Sequence, residues 1–260
     1  MRSTIFTLPL LAAAIAAPAF AQDTAPASEF TVTGGATLTS DYRFRGISQT
    51  NKRFAIQGTL GVSHASGFYV GTWGSSIDDY VTPLSSQGDA EIDLYGGYKK
   101  TINGTTVDGG LLYYYYPGTG GVNSDFFEPY LNASHTFGPV GMKVGGNFAW
   151  KQHALAYTSA KAPFVSHAKG DGIYGYAEAS AAIPHTGVTL TGHVGHSFDR
   201  NYITFGTHYT DWSVTAAYTW KALTFSAAYV DTTGKRTSFI TGTGRNPVKA
   251  GFVGSVAAAF

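Results

Sequence analysis

A long alternation of apolar and polar residues constrains this chain most. From Phe30 to Arg45, every second residue is mostly apolar and the residues between them are mostly polar. Successive side chains of a β-strand point to opposite faces, so this pattern predicts a strand with one apolar and one polar face. Its length exceeds the usual strand of about 5 to 6 residues in a soluble domain. A strand of this length, tilted relative to the membrane normal, can cross a bilayer. The pattern favours a membrane β-barrel over a secreted β-sandwich.

Similar alternation recurs along the rest of the chain. Together with 30–45, the predicted strands are 54–63, 68–77, 90–99, 106–116, 126–137, 142–151, 173–183, 188–198, 208–220, 223–231 and 248–260. Bacterial single-chain barrels have an even number of strands, which twelve satisfies. The predicted fold class is therefore all-β, a transmembrane antiparallel up-and-down β-barrel of twelve strands.

The connections between these strands alternate between short and long. Short ones lie at 65–67, 101–105, 138–139, 184–187 and 221–222, and longer ones at 46–52, 78–89, 117–125, 152–170, 199–207 and 232–247. Outer-membrane barrels have short periplasmic turns and longer extracellular loops. The sequence thus predicts that both ends of the barrel domain lie on the periplasmic side.

The first residues are typical of an export signal. Met1 and Arg2 precede an apolar run, 5–17, which is followed by Ala19-Phe20-Ala21. A charged start, an apolar core and an A-x-A site predict a signal peptide cleaved after Ala21. The apolar run is shorter than the roughly 20 residues that a spanning helix needs. We expect a signal peptide at 1–21, a short leader at 22–28, a barrel at 29–260, and a location in the outer membrane of a Gram-negative cell.

Composition narrows the function classes. Charged residues make up 13% of the chain and aromatic residues 15%, the mean hydropathy is −0.04, and there is no cysteine. A barrel that is wet inside and apolar outside has this balance. The absence of cysteine excludes disulfides and thiolate sites, and a net charge of +1 gives no indication of a nucleic-acid partner.

Aromatic residues gather at the predicted strand ends on the apolar face. Those toward the long loops are Tyr42, Phe44, Phe148, Trp150, Phe198, Trp212 and Tyr229, and those toward the short turns are Phe30, Tyr98, Phe137, Tyr218, Trp220 and Phe260. Two such girdles mark the membrane interfaces of outer-membrane barrels. We therefore expect membrane lipid around the outer face. Neighbouring subunits would suit that face equally, so the oligomeric state stays open.

Two segments carry a family resemblance. They are Thr39-Ser-Asp-Tyr-Arg-Phe-Arg-Gly-Ile-Ser-Gln49, and Gly67-Phe-Tyr-Val-Gly-Thr-Trp-Gly-Ser75 followed by Glu91-Ile-Asp-Leu-Tyr-Gly-Gly-Tyr98. These segments resemble the TorF family of porin-like outer-membrane proteins, most specifically over about the first hundred residues. The terminal Val256-Ala-Ala-Ala-Phe260 is similar to an outer-membrane assembly signal. The resemblance implies an outer-membrane pore but no particular solute.

Charged residues in the polar phase are the candidate lumen and selectivity residues. They are Asp41, Arg43, Arg45, Glu91, Asp93, Glu128, Lys143 and Lys151. Rings of charge set ion selectivity in channels, and two arginines on one face offer donors to anionic solutes. Alternatively, opposite charges neutralise each other across the lumen and fill it, because barrels of about eight strands are packed and those of 16 to 18 are open. The sequence leaves both interpretations standing.

A possible catalytic row comes from strand register. Pairing residues 183 with 188 and 198 with 208 sets Glu178 opposite His193, and His193 opposite Ser213. Opposed side chains lie about 4.5 to 5.5 Å apart at Cβ, so a carboxylate, an imidazole and a hydroxyl come within reach of one another. We expect no metal site and no cofactor, since the other histidines have no metal-ligand spacing.

The function predicted from the sequence is passive diffusion of small polar or charged solutes through an outer-membrane channel, without enzymatic activity. Two alternatives stay open. One is a barrel hydrolase that uses Glu178, His193 and Ser213, and the other is a non-conducting structural or adhesive barrel.

Overall fold

The computed structural model describes residues 29–82, 88–119, 123–157, 168–234 and 245–260. The predicted signal peptide and leader lie outside these residues, as do parts of four of the long connections. Among the described residues, no helix has the length and hydropathy needed to span a bilayer.

Twelve antiparallel strands close into a barrel, as the alternation predicts. They are β1 (Phe30–Thr39), β4 (Ala55–His64), β5 (Phe68–Ser76), β6 (Ala90–Ile102), β7 (Thr105–Tyr115), β8 (Phe126–Phe137), β9 (Val140–Gln152), β10 (Gly170–Ala182), β11 (Val188–Ser197), β12 (Tyr209–Trp220), β13 (Leu223–Thr232) and β14 (Gly251–Ala259). Each strand pairs with its neighbours in sequence, and β1 pairs with both β4 and β14. This pairing leaves the barrel without a free edge, which is the condition for strands to span a bilayer.

The two ends of the barrel differ as predicted. At one end, strands are joined by short turns such as Asn103-Gly104, where both residues have positive φ (49° and 81°). Positive φ at both central residues is the requirement of the type I′ turn that matches strand twist. The other end carries the long connections, which include two short 3-10 helices, Asp79–Val81 and His153–Leu155.

Large apolar side chains cover the outer face. Val32, Leu94, Val144 and Val214 are each at least half exposed, and a continuous apolar surface of this extent is stable in lipid but not in water. Most residues of the predicted girdles are likewise exposed, namely Phe148, Trp150, Phe198, Trp212, Phe30, Tyr98, Phe137, Tyr218, Trp220 and Phe260.

The first strand is shorter than the alternation predicts. β1 ends at Thr39, and residues 40–54 leave the wall as a segment that we call the inner loop. Asp41 organises its start, because its carboxylate accepts hydrogen bonds from Arg43 Nε (2.8 Å) and Ser48 Oγ (2.6 Å). Two short strands, β2 (Arg43–Phe44) and β3 (Ile47–Ser48), then form a hairpin inside the inner loop.

The inner loop lies inside the barrel. Its side chains contact inward-facing residues on strands β5, β6, β7, β8 and β10. On β12, the Tyr209 hydroxyl donates to the carbonyl oxygen of Arg45. Tyr42 packs on Trp73 with ring centroids 5.2 Å apart, and Phe44 on Tyr114 at 5.8 Å. The prediction that Tyr42 and Phe44 belong to the outer girdle is therefore wrong. Both side chains are buried within the lumen.

Tyrosines on the inner wall lie flat over glycines of neighbouring strands. A Cβ added to Gly145 would lie 2.6 Å from the Tyr176 ring, and one added to Gly110 would lie 2.5 Å from the Tyr130 hydroxyl. The absence of a side chain at these glycines lets each large ring pack along the wall instead of projecting across the lumen. The rings thereby form part of the lumen wall.

We predict that Gly145→Val destabilises the barrel by about 1–3 kcal/mol, the usual cost of overpacking a filled interior. The added side chain would meet both Tyr176 and the Asn132 Cβ, 2.8 Å away. Urea unfolding in detergent micelles measures the change. Gly192→Val is the matched control, because a Cβ at Gly192 meets nothing within 4 Å. Equal stability of the two variants would contradict this packing.

Candidate functional site

The tip of the inner loop places a guanidinium against the lumen wall. Arg45 and Gly46 form the two-residue turn between β2 and β3, with φ of 47° and 78°. Arg45 Nη2 lies 2.7 Å from both carboxylate oxygens of Glu128 on β8. The pair is buried, with side chains 9% and 2% exposed, so it joins the loop to the wall out of bulk water.

Wall residues complete a pocket around this pair, which we call the Arg45 pocket. Glu128 also accepts hydrogen bonds from the Tyr114 hydroxyl (3.1 Å) and Asn147 Nδ2 (3.0 Å). The Arg45 guanidinium lies over the Tyr174 ring, 4.2 Å from its centroid. A carboxylate held in place beside an aromatic face is suited to a planar organic cation.

Carboxylates outnumber cations beside this pocket. Glu91 accepts a hydrogen bond from the Tyr42 hydroxyl at 3.0 Å. Asp93 is 0% exposed, and neither of its carboxylate oxygens has a hydrogen-bond partner among the described residues. Asp93 lies opposite Tyr114 in the β6–β7 register. Burial of an ionised carboxylate without a partner is costly.

The titration of the inner loop fits these contacts. Burial raises the pKa of Tyr42, and the carboxylates of Glu91 and Asp93 raise it further, so the hydroxyl stays protonated and donates. Burial by itself lowers the pKa of Arg45, but the Glu128 carboxylate more than offsets this and the net pKa is raised. Arg45 is therefore a permanent cation.

Neither predicted anion-binding arginine is open to a solute. Arg43 Nε bonds to Asp41, while its Nη1 donates to the carbonyl oxygens of Gly46 and Lys249, each at 3.0 Å. Arg45 is engaged by Glu128. Both arginines lie in the inner loop inside the barrel and bind its acidic surroundings, so the predicted strand 30–45, which places them in the wall, is wrong at its end.

The two candidate lysines differ in position. Lys143 faces the lumen and is buried, with its Nζ 5.4 Å from the Tyr176 ring centroid. Lys151 is exposed at the end of β9, where the β9–β10 register shifts. A bulge interrupts the regular alternation of inward and outward side chains. The alternation that predicts an inward-facing Lys151 therefore does not hold at this end of β9.

The Glu178, His193 and Ser213 row has the predicted register but not the predicted bonds. Glu178 pairs with His193, and His193 with Ser213. His193 Nδ1 lies 3.1 Å from Glu178 Oε1, but Nε2 contacts the Tyr174 hydroxyl (3.0 Å) and Asp211 Oδ2 (3.3 Å).

A serine would need the histidine as its base to become a nucleophile. Here the imidazole lies between two carboxylates and does not bond to Ser213. The row therefore forms a polar network on the wall.

Small polar residues line the other side of the lumen. They are Thr33, Thr37, Thr59, Ser63, Thr215, Thr219, Ser226 and Ser255, on β1, β4, β12, β13 and β14, and all are partly exposed. The bulky tyrosines and the charged residues described above lie mainly on the strands from β5 to β12. The lumen wall is therefore asymmetric, with small polar side chains on one side and bulky or charged ones on the other.

Sequence reasoning missed the residues that shape the Arg45 pocket. Tyr114, Asn147 and Tyr174 are inward-facing wall residues, and nothing in the local pattern separates them from other polar positions. The available signal was Gly46 and Asn51, two residue types that accept positive φ readily. The structure gives both a positive φ, in the turns Arg45-Gly46 and Asn51-Lys52.

Solved outer-membrane channels share this fold. The NanC porin superposes with a TM-score of 0.56 and 13% sequence identity, covering 88% of this chain and 99% of that chain. An outer membrane channel from Pseudomonas putida F1 gives a TM-score of 0.52 and 10% identity, covering 91% and 99%. At these identities the likeness establishes the fold, a barrel of the outer-membrane porin type.

Sequence comparison identifies the family. No curated protein matches the chain. Residues 23–260 match the family described as "Bacterial protein of unknown function (Gcw_chp)". Because the match spans nearly all of the 260 residues, the chain belongs to the Gcw_chp family.

Proposed function

We propose that this protein is an outer-membrane channel for passive diffusion of small polar or charged solutes. The observation that carries the proposal is a closed barrel with an apolar outside and inward-facing polar side chains, into which its own inner loop folds. The sequence features typical of export, and the resemblance to TorF proteins, support a place in the outer membrane.

The inner loop sets the size of the passage in this proposal. It occupies the lumen near the barrel end that carries the long loops. Glu91 and Glu128 lie at that end, close to the first residues of β6 and β8. Toward the short turns, the partly exposed serines and threonines provide a hydrated wall. Solutes would therefore meet a narrow charged zone first and a wider polar zone next.

A second candidate is a barrel that stays closed until the inner loop moves. The burial of Arg43, Ser48 and Asp93 favours it, since these polar residues have almost no contact with solvent. Water and ions need a continuous hydrated path, so such tight packing around the loop would block the lumen if the loop stayed fixed.

Solute-dependent swelling of proteoliposomes tests the proposal. Vesicles with the refolded mature chain should swell in uncharged solutes up to a size limit, and protein-free vesicles should not. A channel narrowed by a loop admits small solutes faster than large ones, so the swelling rate should fall as solute size rises. Absence of swelling with every solute, in vesicles shown to contain folded barrel, would favour the closed candidate.

A further inference from the structure

We propose that the Arg45 pocket binds small organic cations that carry a guanidinium or ammonium group, and that Arg45 is its tethered occupant. The inference rests on the proposed channel function and names a class of solute for it. The contacts of the Arg45 side chain show what kind of group the wall accepts.

The wall supplies each element of a cation site. Glu128 provides both carboxylate oxygens at 2.7 Å, and Tyr174 provides a ring face 4.2 Å from the guanidinium carbon. Tyr114 and Asn147 hold the carboxylate in place through their own hydrogen bonds. A carboxylate fixed in this way is preorganised for a cation, which lowers the cost of binding one.

Charge selects the class of ligand. Besides Arg45, Glu128 bonds to the Tyr114 phenol and the Asn147 amide, so among the described residues Arg45 is the cation that compensates its charge. Glu91 and Asp93 are further acidic side chains beside the pocket. An anion would be repelled and a neutral molecule would leave a buried carboxylate without a counter-charge. Only a cation compensates for the departure of Arg45.

Arg45 lies on a hairpin that a free cation can displace from the pocket. Arg45 is at the tip of a hairpin whose strands are two residues each, and the hairpin pairs only with itself. Side-chain contacts and a backbone hydrogen bond from Ser48 N to the Pro247 carbonyl oxygen (3.0 Å) hold it in place, in contrast to the continuous ladders of the barrel. A free cation in the lumen would compete with Arg45 for Glu128 without breaking any barrel strand pairing.

Chemical rescue tests the pocket. In Arg45→Ala, ethylguanidinium should bind the detergent-purified barrel by isothermal titration calorimetry, and ethylurea, its neutral counterpart, should not. In planar bilayers, Arg45→Ala should conduct more than the wild type, and ethylguanidinium should return the conductance toward the wild-type value. Adding Glu128→Gln should weaken the binding about tenfold or more, because it removes the charged acceptor.

The matched control is Arg53→Ala. Arg53 belongs to the same inner loop, but it is exposed and pairs with Asp78, so its removal should create no ethylguanidinium site. Equal effects of ethylguanidinium and ethylurea on Arg45→Ala, or binding that persists with Glu128→Gln, would overturn the proposal.

Two further arms keep the outcomes separate. If Arg45→Ala does not fold, the wild type gives the answer: ethylguanidinium should compete with Arg45 and change the conductance, and an equal response to ethylurea overturns the proposal. Binding to a barrel that never conducts would contradict the channel function while supporting the pocket. Conductance without selective binding of ethylguanidinium would support the channel function and contradict the pocket.

Discussion

A chain in which residues 40–54 are replaced by Asn-Gly is expected to show a severalfold larger single-channel conductance than the wild type. Thr39 pairs directly with Ala55, so a two-residue type I′ turn joins β1 to β4, as Asn103-Gly104 joins β6 to β7. The barrel ladder stays intact, and the segment that fills the narrow part of the lumen is gone. Planar-bilayer recording measures the change.

A single substitution should act in the same direction. A Cβ at Gly46 would lie 2.5 Å from Thr232 Cγ2 and 2.8 Å from Asp211 Cβ, at a φ of +78°. Gly46→Val should therefore displace the hairpin tip and raise the conductance. Gly138→Val is the matched control, because Gly138 also has positive φ but its added Cβ meets nothing within 4 Å. If neither the replacement of residues 40–54 nor Gly46→Val changes the conductance, the inner loop does not limit the passage.

Loss of the Glu128 carboxylate should have the largest effect on stability. Glu128→Leu leaves the buried Arg45 guanidinium without its counter-charge, and leaves Tyr114 and Asn147 without their shared acceptor. Breaking a buried ion pair from one side costs about 3–5 kcal/mol. Urea unfolding, followed by the fluorescence of tryptophans that include the buried Trp73, measures this loss.

The double variant separates charge from packing. Arg45→Met combined with Glu128→Leu replaces the pair with apolar groups of similar size, and such replacements are often neutral for stability. We expect the double variant to recover most of the loss. Strictly additive losses from the two single variants would show that the two charges do not interact in the folded protein.

The barrel was predictable because its determinants are local. Period-two alternation and turn residues such as Asn103-Gly104 act over a few positions, so the twelve strands and the alternation of turns and loops follow directly from the sequence. The register between β10 and β11 was also predictable, since a short turn fixes it. The register between β11 and β12 is the one predicted as well, although a longer connection joins these strands.

The inner loop was not predictable in the same way. Tyr42 and Phe44 continue the alternation of β1, and an apolar side chain satisfies the pattern equally well in lipid or against Trp73 and Tyr114. Which environment it enters depends on wall residues distant in sequence. The same limit applies to Arg45, whose partner Glu128 comes from β8.

Register also did not predict which side chains meet. His193 lies opposite Ser213, but its Nε2 reaches the diagonal neighbour Asp211. Diagonal pairs on adjacent strands are within reach of long side chains. A register therefore defines a neighbourhood of side chains, and the rotamers decide which hydrogen bonds form.

Single-channel recording of the refolded wild-type chain in a planar bilayer is the most direct test of the proposed function. We predict discrete, reproducible conductance steps that are smaller than those of the chain without residues 40–54. A wild-type chain verified as folded barrel that gives no steps, or steps equal to those of the shortened chain, would contradict it.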